Sequence, residues 1–388
     1  MTTHADDLHF LRLAFAHGVG ARTLHKLLTA FGEVATVFDA TPAALTKIVS
    51  EKVARTILTA PSADTQTKID EALAWLAAAP EHHLLTWAHP DYPKALLESG
   101  DAPLVLYAKG RIELLLNPAI AMVGSRNCSQ GGTDTAEAFA QAFAERGVTV
   151  VSGMALGIDA ASHVGALRAA NVRSGSTIAV IGTGIDRVYP AKNKVLAHSI
   201  AERGLIVSEY PLGTPPLADN FPKRNRIISG LSLGVLVVEA SMNSGSLITA
   251  RLAGEQSREV FAIPGSIHST FHKGCHHLIK QGAKLVENAQ DVLEELRLDA
   301  GVTNPNVTVT GTATDAVQTT QTAQTAQATQ ALATATGLLQ FIEHDPIDVD
   351  TLVARSGLAV DHIVTELTLL ELAGSIQSLP GGRWQRRG

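Results

Sequence analysis

Small and charged residues follow several apolar runs of this sequence, at points where parallel strands would end. The first group is Gly124-Ser125-Arg126, after the run AIAMVG and before a long Ala-rich helical pattern. A guanidinium forks over the oxygens of a phosphate, and the N–H groups of a helix start add donors. The tripeptide therefore predicts an anion site, either for a nucleotide or for a nucleic-acid backbone, although a capped turn with a surface arginine explains the same residues.

The second and third apolar runs end in similar residues. The stretch SGMALGIDAASHVGAL (152–167) places small residues and Asp159 around a predicted helix start, and GTGIDRVYPAKN adds two cations. Backbone N–H groups at such glycines approach a phosphate closely. Asp159 alternatively caps its helix, and His163 is explained as a hydrogen-bonded core or rim residue rather than a base. The candidate binding residues here are Ser152, Gly153, Gly157, Asp159, Arg187 and Lys192.

An aromatic residue stands beside a cationic cluster in NFPKRNRIISGLS (220–232). Single-stranded nucleic acid is bound by rings on which bases stack and by cations along the backbone. The competing interpretation is a buried ring with arginines paired to Asp219 or Glu239. The candidate residues are Phe221, Lys223, Arg224, Asn225 and Arg226.

The fifth apolar run leads into VVEASMNSGSLITARLAGE, where hydroxyls and a glycine open a predicted helix. These hydroxyls and N–H groups face the same predicted sheet edge, and a capped helix start is the plainer explanation. The candidate residues are Ser244, Gly245, Ser246 and Thr249.

Several common chemistries are disfavoured. The chain has neither GxGxxG after a strand nor the Walker pattern GxxxxGK[ST], and the GxSxG match at 230–234 precedes a strand instead of following one. The His and Cys residues of 268–277 lack regular four-ligand spacing. We therefore expect no cofactor, no metal and no catalytic residue.

The elements that position these residues alternate in type. Six continuous apolar runs between 119 and 265 each lead into a helical stretch or a short connector. Strands of this kind are buried on both faces, which predicts an α/β fold with a Rossmann-like, mostly parallel sheet core. Upstream, HGVGARTLHKLLTAFG predicts an all-α N-terminal domain of the SAM-like or helix–hairpin–helix type. Downstream, helix–helix–turn–helix–hairpin spacing outlines a winged helix.

Composition gives four segments. We expect an N-terminal helical domain at 1–85, a Rossmann-like single-stranded-DNA-binding domain at 86–298, a disordered Thr/Gln/Ala-rich linker at 299–336 and a winged-helix domain at 337–388. The third helix of the last domain, from about Val360 to Leu372, carries acidic residues and no Lys or Arg. Its charge favours protein contact, or a vestigial role, over DNA reading.

Bulk charge and hydropathy place limits on the partners. The net charge is −6, but 99–298 holds nineteen Lys and Arg against seventeen Asp and Glu, so a focused basic site remains compatible with an acidic chain. The sequence shows no membrane-length apolar run and no apolar signal core, and its two cysteines lie far apart. A cytoplasmic protein without a membrane partner is expected.

Several motifs together, and in this order, resemble the DNA-processing protein A (DprA/Smf) family. They are VGSRNCSQGG, SGMALGIDAASHVGAL, TIAVIGTGIDRVYPAKN, LIVSEYPLG, FPKRNRIISGLS, VVEASMNSGSLITARLA, AIPGSI and KGCHHLIKQGAKLV. The resemblance implies a homodimeric binding protein, not an enzyme, that protects single-stranded DNA entering during natural transformation and loads the RecA recombinase onto it. It also implies that Gly124-Ser125-Arg126 binds phosphate and that Phe221 with Arg224-Asn225-Arg226 lines the strand pocket.

Two other functions compete. A nucleotide-metabolising enzyme of a related Rossmann-like fold, of the phosphoribohydrolase type, would carry PGGxGTxxE at a strand end. The nearest place, 243–249, lacks the paired glycines and the trailing acid that general acid–base catalysis needs. A regulator of double-stranded DNA would act through the winged helix, whose third helix has the wrong charge.

Overall fold

A computed structural model describes residues 4–169, 176–298, 338–339, 341–342 and 346–387. They form two compact units: a larger one that ends at residue 298, and a smaller one that holds the residues from 338 onward together with 129–134. The predicted linker at 299–336 lies outside the described residues.

Six helices open the larger unit. Their starts follow local capping: the side chains of Thr41, Ser50 and Ser62 each accept a backbone N–H three residues further on. Their apolar faces share one continuous core with part of the sheet, including Leu24, Leu27 and Tyr107. The helices are α1 (His4–Phe15), α2 (Ala21–Phe31), α3 (Val34–Asp39), α4 (Pro42–Leu45), α5 (Glu51–Leu58) and α6 (Ala63–Ala78).

A nine-stranded sheet follows, in the order β1-β2-β6-β5-β4-β3-β7-β8-β9. From β6 to β9 every pairing is parallel, and β1–β2 and β2–β6 are antiparallel. β3 to β7 are buried throughout, because layers cover both faces of the parallel strands. The strands are β1 (His82–Thr86), β2 (Val105–Gly110), β3 (Ala119–Val123), β4 (Thr149–Ser152), β5 (Thr177–Val180), β6 (Leu205–Ser208), β7 (Gly234–Val237), β8 (Glu259–Ala262) and β9 (Lys284–Leu285).

Helices connect these strands. One apolar cluster packs Ala140 and Phe143 against β3, β4 and β7, and a second joins Ile227 and Ala250 to the opposite face of the sheet. The helices are α7 (Lys94–Glu98), α8 (Gln130–Glu145), α9 (Ile158–Arg168), α10 (Lys194–Arg203), α11 (Asn220–Gly230), α12 (Ser246–Glu255), α13 (Lys273–Lys280) and α14 (Ala289–Glu295).

The smaller unit has its own apolar core, which includes Leu352, Leu367 and Ile376. Gly357, in the left-handed region at φ 70°, ends its first fully described helix, as the Ser-Gly-Leu turn predicts. The elements are β10 (Ile347–Asp348), α15 (Val349–Ser356), α16 (Val360–Leu372), β11 (Ile376–Leu379) and β12 (Arg383–Arg386).

The predicted fold class is confirmed. The six apolar runs form β3 to β8, with helices before the sheet and a helix–turn–helix–hairpin after it. The pattern did not predict the antiparallel edge, and β1 crosses the predicted domain boundary at 85/86. Among the described residues, none of the helices is both long and apolar enough to span a bilayer.

Candidate nucleic-acid interface

A groove of about 720 Å³ lies at the carboxyl ends of the parallel strands. Its walls come from the loops that follow β3 and β7 and from the first turns of α11 and α12. β3 and β7 are neighbours in the sheet, and the strand order reverses between them. Loops that leave such a pair diverge to opposite faces and leave a crevice, which is where doubly wound sheets bind ligands.

Arg126 lies on the β3 side of this groove and is exposed. Its guanidinium carbon is 5.9 Å from the centre of the Phe221 ring, within the range of a cation–π contact. The backbone beneath it is fixed from two sides: Ser125 N donates to Glu239 O at 2.8 Å, and Ile158 N donates to Ser125 O at 3.2 Å. A cation is thus held at the groove while its charged end stays available to a phosphate.

Two aromatic rings form an apolar wall opposite this loop. Phe221, half-buried at the start of α11, lies 5.4 Å from Tyr189 between ring centres, with 35° between the ring planes. A methyl group added at Gly182 would approach the Phe221 ring to 3.0 Å, so that glycine lets the ring pack closely on the loop after β5. Rings presented in this way are surfaces on which bases stack.

Arg224 lies beneath the rings and is almost fully buried, with 4% of its surface exposed. Its Nη1 donates to Gly153 O at 2.6 Å and also to Val180 O. Asp159 is buried nearby, and its Oδ2 accepts the backbone N–H groups of Gly153 and Ala155 at 3.2 and 3.3 Å. Burial raises the pKa of the Asp159 carboxyl and lowers that of the Arg224 guanidinium, and each group favours the charged form of the other.

Uncharged polar groups line the α12 side of the groove. Ser244 Oγ lies 2.7 Å from Ser246 Oγ, and Ser246 and Thr249 are buried at the helix start. Asn225 lines the same groove from α11. Hydroxyl and amide groups accept and donate hydrogen bonds without fixing a base identity by charge.

The structure brings most of the predicted residues together. Besides the residues already described, Gly124 and Gly245 line the groove. Gly153 and Gly157 support it from behind, since neither has room for a side chain: Gly153 packs against the side chains of Arg224 and Asp159, and Gly157 against the backbone of Ser125 and Arg126.

Other predicted residues are placed elsewhere. Arg226 points away from the groove: it pairs with Glu209 at 2.6 Å and with Asp101 at 2.9 Å, and it lines a separate cavity of about 250 Å³ beside α1. The prediction of Arg226 as a DNA contact is therefore corrected, because its guanidinium already has two carboxylate partners. Ser152 is also fully buried, and its hydroxyl donates to Met122 O.

Three predicted cations lie outside the lining of the groove. Arg187, Lys192 and Lys223 are exposed on the loop after β5 and on the first turn of α11. The structure gives them no shared site with Arg126.

Among the groove residues that sequence reasoning missed, the polar and aromatic ones are Asn127, Tyr189, Ser241 and Asn243. Tyr189 had a usable signal, because it follows a predicted strand end within RVYPAKN. The two asparagines are each one or two residues from a predicted contact, and nothing in residue type distinguishes them from other loop asparagines.

The functional groups of this groove are few and can be described one by one. Asp159 is the one carboxylate that lines the groove in the described part of the chain, and its oxygen is already engaged by two backbone N–H groups. No group of three metal-ligating side chains occurs among the described residues. What the groove offers is one exposed cation, two rings and a set of hydroxyls and amides.

The sequence matches the models of a known family. The family model described as "DNA recombination-mediator protein A" matches residues 83–297, and a "DprA winged helix domain" model matches residues 321–382. The chain therefore belongs to the DNA recombination-mediator protein A (DprA/Smf) family, as its motifs predict.

Individual relatives and solved structures agree. The chain is 42% identical to "Protein Smf" of Escherichia coli, over 81% of this chain and 80% of that protein, and 52% identical to the "DNA processing protein DprA" of Streptococcus pneumoniae, over 53% and 71%. The crystal structure of the S. pneumoniae protein covers 76% of this chain and 99% of its own, at 38% identity and a TM-score of 0.63.

A second solved structure concerns the binding of DNA. It reports the single-stranded DNA binding mode of DNA processing protein A from Helicobacter pylori. The likeness covers 56% of this chain and 97% of that one, at 30% identity and a TM-score of 0.50.

Proposed function

We propose that this chain binds single-stranded DNA in the groove at the β3–β7 edge and acts in DNA processing during natural transformation. The observation that supports the proposal is the exposed Arg126 guanidinium, 5.9 Å from the Phe221 ring centre. A cation can bind a phosphate and the adjacent ring can stack with a base. The reported single-stranded DNA binding of the H. pylori protein supports it. Gly124 and Ser125 provide the loop under the phosphate, and Asn225, Ser244 and Ser246 provide neutral contacts.

Finer parts of the function rest on the family resemblance. In this proposal the protein works in the cytoplasm as a homodimer, protects the incoming strand and loads RecA onto it. The predicted domain division at 85/86, 298/299 and 336/337 belongs to the same proposal. The description of the matched family as a recombination mediator supports a role upstream of strand exchange.

Binding rather than catalysis is part of the proposal. A phosphoribohydrolase needs an accessible carboxylate for acid–base work. Asp159 is buried and holds two backbone N–H groups, so it is poorly placed to exchange protons with a substrate. Release of a free base from a nucleoside monophosphate by the purified chain would favour the enzyme instead.

A salt titration tests the binding function. Full-length protein is titrated with fluorescent oligo-dT and with duplex of equal length at several salt concentrations. We expect single strands to bind more tightly. Arg126→Ala should weaken that binding and flatten the slope of log K against log salt by about 0.7, the contribution of one phosphate on a single strand.

Two results would contradict this proposal. One is equal affinity for duplex and single strand. The other is an Arg126→Ala protein that folds normally and keeps both its affinity and its salt slope, since Arg126 would then not contact the backbone.

A further inference from the structure

Arg224 occupies an unusual place for a residue of a basic cluster. It lies one helical turn after Phe221 on α11, and its side chain points into the protein. Through Nη1 it bonds the backbone oxygens of Gly153, at the end of β4, and Val180, at the end of β5. The helix that carries the base platform is thereby tied to two strand ends.

Asp159 connects the same region to the Arg126 loop. Its Oδ2 holds the N–H groups of Gly153 and Ala155, and the residue before it, Ile158, donates its own N–H to Ser125 O. The backbone of Ser125 and Arg126 packs directly on Gly157, where an added Cβ would lie 2.2 Å from Ser125 O. Asp159 thus fixes the loop on which Arg126 rests.

The two charged side chains converge at Gly153. A Cβ added there would lie 2.5 Å from Arg224 Nη1 and 2.7 Å from Asp159 Oδ2. The Gly153 carbonyl therefore accepts a hydrogen bond from Arg224, and the Gly153 N–H donates one to Asp159. A continuous set of contacts runs from the Phe221 helix through Arg224, Gly153 and Asp159 to the Arg126 loop.

We propose that Arg224 and Asp159 are positioning residues, which hold the Arg126 loop and the Phe221 helix at a fixed separation without themselves contacting DNA. The proposal deepens the single-stranded DNA function and rests on it. It assigns different roles to three arginines of the predicted binding stretches: Arg126 binds phosphate, Arg224 sets geometry and Arg226 anchors α11 to Glu209 and Asp101.

Electrostatics agree with this assignment. A buried cation without a nearby anion is costly, and removal of one partner of a buried pair leaves the other uncompensated. Arg224 and Asp159 stabilise each other's charge, while Arg126 raises the positive potential around Arg224. The pair is nearly neutral as a unit, so it contributes little to the attraction of a polyanion.

The first test compares Arg224→Gln with Arg126→Ala in the full chain, by anisotropy of labelled oligo-dT over a range of salt. We expect Arg224→Gln to weaken binding about tenfold with the salt slope of the wild type, because Arg126 still contacts its phosphate in the bound complex and only the cost of restoring the geometry is added. In the double variant the two losses should be less than additive, since Arg224 acts through Arg126. A slope that falls by about 0.7 in Arg224→Gln would overturn the proposal, because Arg224 would then contact the backbone itself.

The second test uses the sign of a charge effect. If Asp159 merely lined the DNA path, Asp159→Asn would remove a repulsive charge and binding would tighten. If Asp159 positions the loop, the same variant weakens binding. Tighter or unchanged binding by folded Asp159→Asn overturns the proposal even where Arg224→Gln does not fold.

A measurement without DNA separates this proposal from the function on which it rests. Hydrogen exchange of the 153–157 segment should become faster in both variants. Asp159→Asn replaces the carboxylate that accepts the Gly153 and Ala155 N–H groups by a weaker amide acceptor, and Arg224→Gln removes the guanidinium that holds the Gly153 carbonyl. Unchanged exchange there overturns the positioning role. Failure of the wild type to bind oligo-dT, by contrast, counts against the binding function and leaves the exchange result interpretable.

Arg226→Gln is the matched control. It removes a guanidinium from the same helix, two positions away, together with its pairing to Glu209 and Asp101, outside the groove. We expect it to lose stability and to keep oligo-dT affinity within about twofold. An affinity loss as large as that of Arg224→Gln would show that any weakening of α11 suffices, and would overturn a specific role for Arg224.

Discussion

Arg224 and Arg226 show the limit of what residue type alone predicts about a binding site. Both belong to one basic cluster in the sequence, yet two positions on a helix differ by about 200° in direction, so they face opposite sides of α11. The partners that fix Arg226 are Asp101 and Glu209, which lie 125 and 17 residues upstream and carry no recognisable signal of that contact. The sequence could predict a cationic cluster but not which cation faces the groove.

Phe221 supplies a prediction at this scale. Phe221→Leu keeps an apolar side chain but removes the ring, so each strand should lose the stacking of about one base, worth about 1–3 kcal/mol. Phe221→Trp should retain most of the affinity. Binding of oligo-dT by anisotropy measures both, and the salt slope should be the same in all three proteins because no charge changes.

An opposite result has a clear meaning. If Phe221→Leu binds like the wild type while Tyr189→Leu is weakened, the base stacks on the ring that sequence reasoning missed. If neither change weakens binding, the two rings serve only to pack the loops of the groove.

His163 supplies a pH prediction. Thr177 Oγ1 donates to Val150 O at 2.8 Å, so the 2.6 Å contact between Thr177 Oγ1 and His163 Nδ1 places the imidazole proton on Nδ1. Burial lowers the pKa of His163 to about 3. In the unfolded chain, with a pKa near 6.5, this histidine is protonated at pH values where the folded one stays neutral. The free energy of unfolding therefore decreases as pH falls from about 6.5 toward 3.

The size of that effect can be measured. Between pH 7 and pH 5 the free energy of unfolding should fall by about 2 kcal/mol through this residue. His163→Asn keeps a donor toward Thr177 but does not titrate, so its urea unfolding should show a correspondingly weaker dependence on pH. An identical pH dependence in the two proteins would show that His163 titrates normally, or that other groups dominate.

At the scale of elements, the start of α9 packs against the Arg126 loop. Gly157 has φ 75°, and an added Cβ would meet Ser125 O at 2.2 Å. Gly157→Ala therefore combines backbone strain of about 1–2 kcal/mol with a collision that displaces the Arg126 loop. We expect a loss of oligo-dT affinity of more than tenfold and a lower melting temperature.

Gly213→Ala separates these two effects. Gly213 also has φ 75°, but an added Cβ there meets nothing within 4 Å. It should lower the melting temperature while leaving DNA affinity nearly unchanged. Equal affinity losses in both variants would mean that strain alone, and not the displaced Arg126 loop, explains the effect.

The elements differ in how well sequence predicts them. Continuous apolar runs such as TIAVIG predicted all six consecutive strands β3 to β8, because burial on both faces leaves a strong pattern. β1 begins with two half-buried histidines, and its antiparallel pairing with β2 joins residues 19 to 27 positions apart. Such an edge gives no comparable signal.

The winged helix shows a similar limit. α16 is acidic as predicted, but Glu366 is buried, and its carboxylate lies 3.4 Å from His362. Asp361 and Glu371 are the exposed acids of this helix, and the exposed Arg383, Arg386 and Arg387 lie on or beside β12. The acidic charge of α16 therefore argues against DNA reading by this helix. The argument does not apply to the β11–β12 hairpin, where the exposed arginines lie.

At the scale of the whole molecule, the groove predicts how binding depends on strand length. Arg126 is the one exposed cation in the described lining of the groove, so each protomer neutralises few phosphates. A six-nucleotide oligo-dT should therefore bind weakly with a shallow salt slope. A thirty-nucleotide strand should bind several protomers, with a steeper slope and higher apparent affinity.

Sedimentation of the complexes, beside the salt titration, measures this. The number of protomers per strand should rise with strand length together with the slope. Equal affinity and equal slope for both lengths would show that one protomer provides the whole site, and that cations outside the groove, such as Lys223 or Lys192, take part.

The scarcity of charge in the groove has a consequence for the life of such a complex. Stacked rings and hydroxyls hold a polymer without the strong, long-lived attraction that a row of lysines creates. We expect each subunit to dissociate rapidly from the strand. A competing protein can then replace the subunits one short segment at a time. If the proposed function is correct, the strand is released in stages, with part of its length still bound at each stage.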